Sequence, residues 1–177
     1  MTTRRIRYCC AVSVGGYIAG PGGEFDWIVM DPEMDFAEMS ERFDTYLLGR
    51  KTFEAIGGRD ESSSAMRTFV FSRTLRQSDY KHVTIVGENW KALVQSLREE
   101  PGKDIWLFGG GSLFRSLAAE GFVDTVEVGV IPTILGGGVP LVAEPASRIG
   151  LTLEEHRVYE KTGTVGLVYS VNRSDQG

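Results

Sequence analysis

Trp106-Leu107-Phe108-Gly109-Gly110-Gly111-Ser112-Leu113 joins a short apolar run of buried-strand type to a glycine cluster and then to a helix start. Earlier in the chain Tyr46-Leu47-Leu48 runs in the same way into Gly49-Arg50-Lys51-Thr52. A strand that ends in glycine and opens a helix aims backbone N–H groups at an anion, and the missing side chain lets that anion come close. Two such elements predict a ligand with more than one phosphate group, and a dinucleotide fits best.

Working outward, Ile6 to Ser13 reads as a near-continuously apolar first strand, followed by a glycine-rich loop from Val14 to Gly23. Asp31-Pro32 has the form of an N-cap with proline at the first helical position. The segment from there to about Phe43 carries Met34, Phe36, Met39 and Phe43 at helical spacing, which predicts a helix with one buried face. Thr45 to Leu48 is a strand, Thr52 to Ile56 a short helix, and 57–65, with its glycine and serine pairs, a surface loop. Arg67 to Ser72 and His82 to Val86 are strands. Asn89 caps a helix from Trp90 to about Glu99, with Trp90, Leu93, Val94 and Leu97 on one side. Asp104 to Phe108 is strand, Gly110 to Ala119 helix, and Thr125 to Pro132 a partly alternating strand. Thr133 to Pro140 is glycine-rich, and Leu151 to Val158 with Gly163 to Asn172 forms a terminal antiparallel hairpin.

Strand and helix alternate until that hairpin, so the expected class is α/β, with helices on both faces of a mostly parallel mixed sheet. Ligands of such sheets bind outside the carboxyl ends of the strands, and the glycine clusters follow Ser13, Leu48, Phe108 and Pro132. The 177 residues, 42% hydrophobic and 24% charged, fit a single domain over 1–177. A net charge of -5 argues against nucleic acid as partner. No run approaches the roughly 20 apolar residues of a membrane span, so a cytoplasmic protein with no membrane partner is expected. Cys9 and Cys10 are neighbours on a strand and point to opposite faces. With His82 and His156 as the only histidines, no metal site is expected.

Two common phosphate-binding patterns fail on spacing. A P-loop needs glycine where Asp44 stands and an uninterrupted Gly-Lys-Ser/Thr core, which Arg50 breaks. The G-x-G-x-x-G/A fingerprint from Gly109 meets Phe114 at its last position, and the one from Gly136 meets Leu141. What remains is a convergence of strand ends. Arg50 and Lys51 sit beside helix-start amides, Ser72-Arg73-Thr74 closes a later strand, and Gly109 to Ser112 opens a helix. A guanidinium flanked by hydroxyls, as at Arg73, suits a 2′-phosphate and favours NADPH over NADH. Each of these cations taken alone also reads as an ordinary solvated loop charge.

The stretches Ala11 to Ala19, Leu48 to Thr52, Phe71 to Thr74, Phe108 to Leu113 and Ile131 to Leu141, in that order, resemble the dihydrofolate reductase-like superfamily. The resemblance is to its branch containing the reductase domain of the riboflavin-biosynthesis deaminase-reductase, and it covers nearly the whole chain. It implies a three-layer α/β/α fold and an NADPH-dependent oxidoreductase. Gly49, Arg50, Lys51 and Thr52 would meet the pyrophosphate and ribose, and Ser72, Arg73 and Thr74 the 2′-phosphate side. Gly109, Gly110, Gly111, Ser112 and Leu113 would again meet the pyrophosphate, with Phe108 before them also at the cofactor, and Ala11, Ile18 and Ala19 would border the nicotinamide.

Asp26, between Phe25 and Trp27, is the candidate to orient or protonate a pterin- or aminopyrimidine-like small-molecule substrate. An ordinary loop or helix-cap aspartate is the competing reading. The His-x-Glu and Pro-Cys-x-x-Cys signatures of the zinc deaminase domain are absent from the sequence. The expected activity is therefore hydride transfer from NADPH to a small heterocycle. A dinucleotide-binding protein without efficient catalysis is the alternative. The terminal hairpin, with Val165, Leu167, Val168 and Val171, offers a surface for a homodimer.

Overall fold

The computed structural model describes residues 3–58 and 66–172; most of the expected surface loop 57–65 lies outside them. Its elements are β1 (Ile6–Ser13), β2 (Tyr17–Ala19), α1 (Phe36–Glu41), β3 (Phe43–Gly49), α2 (Arg50–Ala55), β4 (Arg67–Phe71), β5 (Val83–Val86), α3 (Trp90–Glu99), β6 (Asp104–Gly109), α4 (Gly111–Ala119), β7 (Thr125–Ile131), β8 (Val139–Pro140), β9 (Leu151–Tyr159) and β10 (Thr164–Val171). A 3₁₀ turn, Gln77–Asp79, precedes β5. Eight strands form one sheet in the order β5-β4-β3-β6-β1-β7-β10-β9, parallel from β5 to β7 and antiparallel where β10 joins β7 and β9. The expected α/β class, mostly parallel sheet and terminal hairpin are all present.

Alternation within the strands sorts side chains onto two faces. Ile6, Tyr8 and Val12 of β1, with Leu47, Leu107, Val126 and Val128, pack against Val94 and Leu97 of α3 and Leu113, Phe114 and Leu117 of α4. Tyr8 stacks on Phe114 at 4.2 Å between ring centroids. Leu97 is fully buried, and truncation to alanine there would cost about 2–5 kcal/mol. On the opposite face Leu48 and Val70 cover Phe53 of α2, while Cys9, Phe43 and Trp106 form a smaller cluster that Met39 of α1 only partly joins. Three layers result. Among the described residues, no helix is long and apolar enough to cross a membrane.

The first helix departs most from its sequence reading. It spans six residues, none buried, and its cap is Asp35, whose side chain accepts from Glu38 N at 2.9 Å. Asp31 does not start it. The Asp31 carboxylate accepts from Glu33 N at 2.9 Å and from Thr162 N and Oγ1 at 3.1 and 2.9 Å, which fastens this segment to the β9–β10 turn. Phe43 leaves the helix for β3, where it pairs with Asp104 and tilts against Trp106. Asn89 stands at the start of α3, but its side chain makes no capping hydrogen bond. Within the glycine-rich stretch 133–140, Val139–Pro140 forms an unexpected strand, β8, paired with β2.

Candidate active site

The carboxyl ends of β3, β4 and β6 lie side by side because these strands are consecutive neighbours in the sheet. They bring the two glycine elements into contact. A Cβ placed on Gly49 would lie 3.4 Å from Gly110 N, and one on Gly110 would lie 3.2 Å from Thr52 Oγ1 and 3.7 Å from Ile18 Cδ1. Gly109 has φ +143°, a conformation that residues bearing a Cβ rarely adopt. Gly111 has a different reason to be glycine, since its Cβ would sit 2.5 Å from Pro140 O. That close approach locks α4 against the chain after β8, where Ala143 N donates to Gly111 O.

Arg50 ties two strand ends together, with Nε donating to Glu54 Oε1 at 2.8 Å and Nη1 to Thr74 Oγ1 at 2.9 Å. Ser72 Oγ accepts from Thr74 N and Leu75 N, which turns the chain after β4 and leaves its own O–H to donate. Lys51, Arg73 and Ser112 are exposed on the same rim. Beyond Ser72 and Arg73 a shelf of about 330 Å³ is lined by Leu75, Gln77, Ile85, Gly87 and Glu88.

Apart from the shelf residues Leu75, Gln77, Ile85 and Glu88, these groups border one crevice of about 2390 Å³, well above the roughly 300–1,000 Å³ of a single small-ligand pocket. Every residue expected at the dinucleotide lines it: Ala11, Ile18, Ala19, Gly49 to Thr52, Ser72 to Thr74 and Phe108 to Leu113. Asp26 is exposed and lies outside the lining, although its neighbours Glu24 and Phe25 belong to it. The structure therefore does not bring Asp26 to the other candidates.

The crevice continues past the strand ends across the open face of the sheet, where sequence reading named only Ala11. Its floor is a row of small residues in register, Ala11 beside Gly129 beside Gly166, ending at Arg157. A Cβ on Gly129 would meet only Thr164 Cγ2, at 3.8 Å, so the floor there is shallow and open. In the next row Glu127 accepts from Arg7 Nη1 at 2.7 Å and Arg42 Nη2 at 3.1 Å, and Arg7 also pairs with Asp104 at 2.5 Å. Burial alone would raise the Glu127 carboxyl, but the Arg7 hydrogen bond and the charges of Arg42 and Arg7 outweigh it and hold the group below its usual range. It is a fixed anion. The wall facing this floor is the segment from Pro21 to Met39, including α1. The alternation Val126-Glu127-Val128-Gly129 was the one available signal, since it places Glu127 and Gly129 on a common face.

Among the described residues, no group of three His, Cys, Asp or Glu side chains is arranged to hold a metal ion. Desolvation raises the Cys10 thiol to about 12, which leaves it a partly buried thiol in its protonated form rather than a nucleophile.

Comparison with known proteins adds a sequence family and a set of similar folds. The RibD C-terminal domain family matches residues 4–165. The uncharacterised protein YyaP of Bacillus subtilis (strain 168) is 35% identical over 182 residues, covering 96% of each chain. Among solved structures, a protein of Shewanella sp. PV-4 provisionally named for riboflavin biosynthesis superposes with a TM-score of 0.79 at 24% identity, covering 96% of this chain and 99% of that one. The dihydrofolate reductase of Enterococcus faecalis, complexed with NADP(H), gives 0.68 at 18% identity, covering 95% of this chain and 96% of its own. At these identities the structural likenesses establish the dihydrofolate reductase-like fold.

Proposed function

Since the chain belongs to the RibD C-terminal domain family, we propose that it is an NADPH-dependent reductase of a small pterin- or aminopyrimidine-like heterocycle. The observation that carries this reading is the abutment of Gly49 and Gly110 beneath Arg50, Lys51 and Arg73 on one crevice. The donor set and the space left by the glycines suit a dinucleotide phosphate. The enzyme of Enterococcus faecalis, similar in fold, is named as a complex with NADP(H).

Bound NADPH would supply the hydride, and this chain's residues would bind and orient. Thr52, Ser112 and the first amides of α4, which lack intrahelical acceptors, hold the pyrophosphate. Arg50, braced by Glu54 and Thr74, presents its remaining N–H groups to the same charge. Ser72 and Arg73 take the 2′-phosphate, and the neighbouring shelf takes the adenine. Ala11, Ile18 and Ala19 would border the nicotinamide beside the Gly129–Gly166 floor, where a substrate would be held against it.

Titration of NADPH against the fluorescence of the three tryptophans, checked by calorimetry, tests the premise. Saturable binding is expected, with NADPH oxidation in a screen of small heterocycles that includes dihydrofolate and a ribosylaminopyrimidinone, and an absence of binding would refute it. We also propose that the protein works as a homodimer paired through β9. This nine-residue edge strand exposes Leu151, Leu153 and Val158, and an uncovered edge of this kind favours pairing. Light scattering at the monomer mass would contradict that assembly.

A further inference from the structure

The crevice is electrically divided. Its strand-end half carries Arg50, Lys51 and Arg73 against Glu54, which Arg50 already binds, and Glu88 on the adjoining shelf. The other half carries six carboxylates, Glu24, Glu33, Asp35, Glu38, Glu127 and Glu155, against the two guanidiniums of Arg42 and Arg157. Both guanidiniums have partners: Arg42 binds Glu127 at 3.1 Å, and Arg157 lies 4.8 Å over the Tyr159 ring. Two of these carboxylates are offset from outside the lining, Glu127 by Arg7 at 2.7 Å and Glu33 by Lys161 at 3.4 Å, which leaves Glu24, Asp35, Glu38 and Glu155.

The origin of this division is visible in the chain. From Tyr8 to Glu41 there are seven carboxylates and no lysine, arginine or histidine. The part of it from Pro21 to Met39 forms the facing wall, and it also turns Phe25, Val29, Met30 and Phe36 toward the crevice, 42 to 56% exposed. Apolar side chains left this open are expected where a ligand covers them. A second anion entering beside the dinucleotide would meet like charge on this wall and, among the lining cations, two that are already engaged.

Resting on the reductase reading above, we propose that the substrate half of this crevice takes an apolar, neutral or cationic molecule that carries no phosphate. For the cationic members of this class, protonated cyclic imines, the chemistry balances without a protein acid. Hydride from NADPH adds to the imine carbon, the π electron pair settles on a nitrogen that already bears its proton, and NADP⁺ and a neutral amine result. The acidic wall favours the protonated imine from which this step proceeds.

The test uses the full chain saturated with NADP⁺, titrated calorimetrically with three probes: a ribosylaminopyrimidinone 5′-phosphate, its dephosphorylated counterpart, and 2-phenyl-1-pyrroline. The dephosphorylated compound should bind at least about tenfold more tightly than the phosphate, and added salt should narrow that gap. Glu38→Lys should shift the ratio toward the phosphate by several fold, with Glu38→Gln intermediate and the Kd for NADP⁺ and the melting temperature of each variant unchanged. Tighter binding of the phosphate, a ratio indifferent to both variants, or binding of none of the three probes would overturn the inference while leaving the reductase reading standing. Failure to bind NADP⁺ or NADPH at all would overturn both.

Discussion

The strand-end half of the crevice and its open-face half are built by different means. At the strand ends the contacts come from backbone and from residues adjacent in sequence: Gly49 with its following cations, Gly109–Gly110 with the first turn of α4, and Ser72–Thr74. Across the open face the contacts come from single side chains on β1, β7, β9, β10 and the segment before α1, brought together only by sheet order. The first half is a geometry that any dinucleotide phosphate can use. The second is a charge and shape pattern particular to this chain, so altering one half should leave the other intact.

The hardest blow to that separation falls at Glu127, which belongs to the open face but is also part of the sheet's interior. Glu127→Gln leaves Arg7 and Arg42 facing a neutral amide on a mostly buried floor, with only Asp104 to balance Arg7. We expect a loss of about 3 kcal/mol in urea unfolding. The pH dependence has the same sign: a carboxyl held below its usual range contributes stability at pH values above its unfolded pKa. That contribution is lost as pH falls through the lower folded value. A variant as stable as the parent at neutral pH would show that the Arg7–Glu127–Arg42 cluster contributes nothing net.

Arg73→Ala acts on the other half alone. It should weaken NADPH by about 2 kcal/mol through loss of a charge-assisted bond, and should leave NADH almost unaffected. Because Arg73 is exposed, urea unfolding should change by less than about 0.5 kcal/mol. Equal losses for the two coenzymes, measured by calorimetry, would move the 2′-phosphate contact elsewhere.

The same contrast explains what the sequence disclosed. Gly49-Arg50-Lys51-Thr52 and Gly109-Gly110 were legible because a strand, a glycine and a helix start are consecutive and their spacing carries the geometry. Sheet class and hairpin followed from strand–helix alternation and the final paired runs. Gly129, Gly166 and Arg157 were not legible as a floor, because their row exists only once β1, β7, β10 and β9 are in register. The first helix was misread for a related reason. Met34, Phe36, Met39 and Phe43 kept helical spacing, yet Phe43 found a better partner in Trp106, and Asp31 was claimed by Thr162 on the other side of the crevice.

That last bond gives a smaller effect, confined to the wall. The backbone hydrogen bond from Glu33, together with the Thr162 and Lys161 contacts, lowers the Asp31 carboxyl below its ordinary value. Its contribution is therefore present above the unfolded pKa and fades as pH drops through the folded one. Hydrogen exchange should show residues 31–41 loosening in acid before the strand-end half does. Asp31→Asn should produce the same loosening at neutral pH, and uniform exchange across both halves would deny the link.

The smallest effect belongs to Asp26. As an exposed carboxylate outside the crevice lining it is separated from the Ala11–Gly129–Gly166 floor on which a substrate ring would rest. A proton donor must come within hydrogen-bond reach of the atom it serves, directly or through one water. Asp26→Asn should therefore change kcat and kcat/KM by less than about twofold, against the roughly 10²–10⁴-fold loss that accompanies removal of a general acid. A drop of that larger size, with NADPH affinity intact, would mean that the Glu24–Met30 segment closes over the substrate and carries Asp26 inward. The open-face half would then be completed only in the substrate complex, unlike the strand-end half.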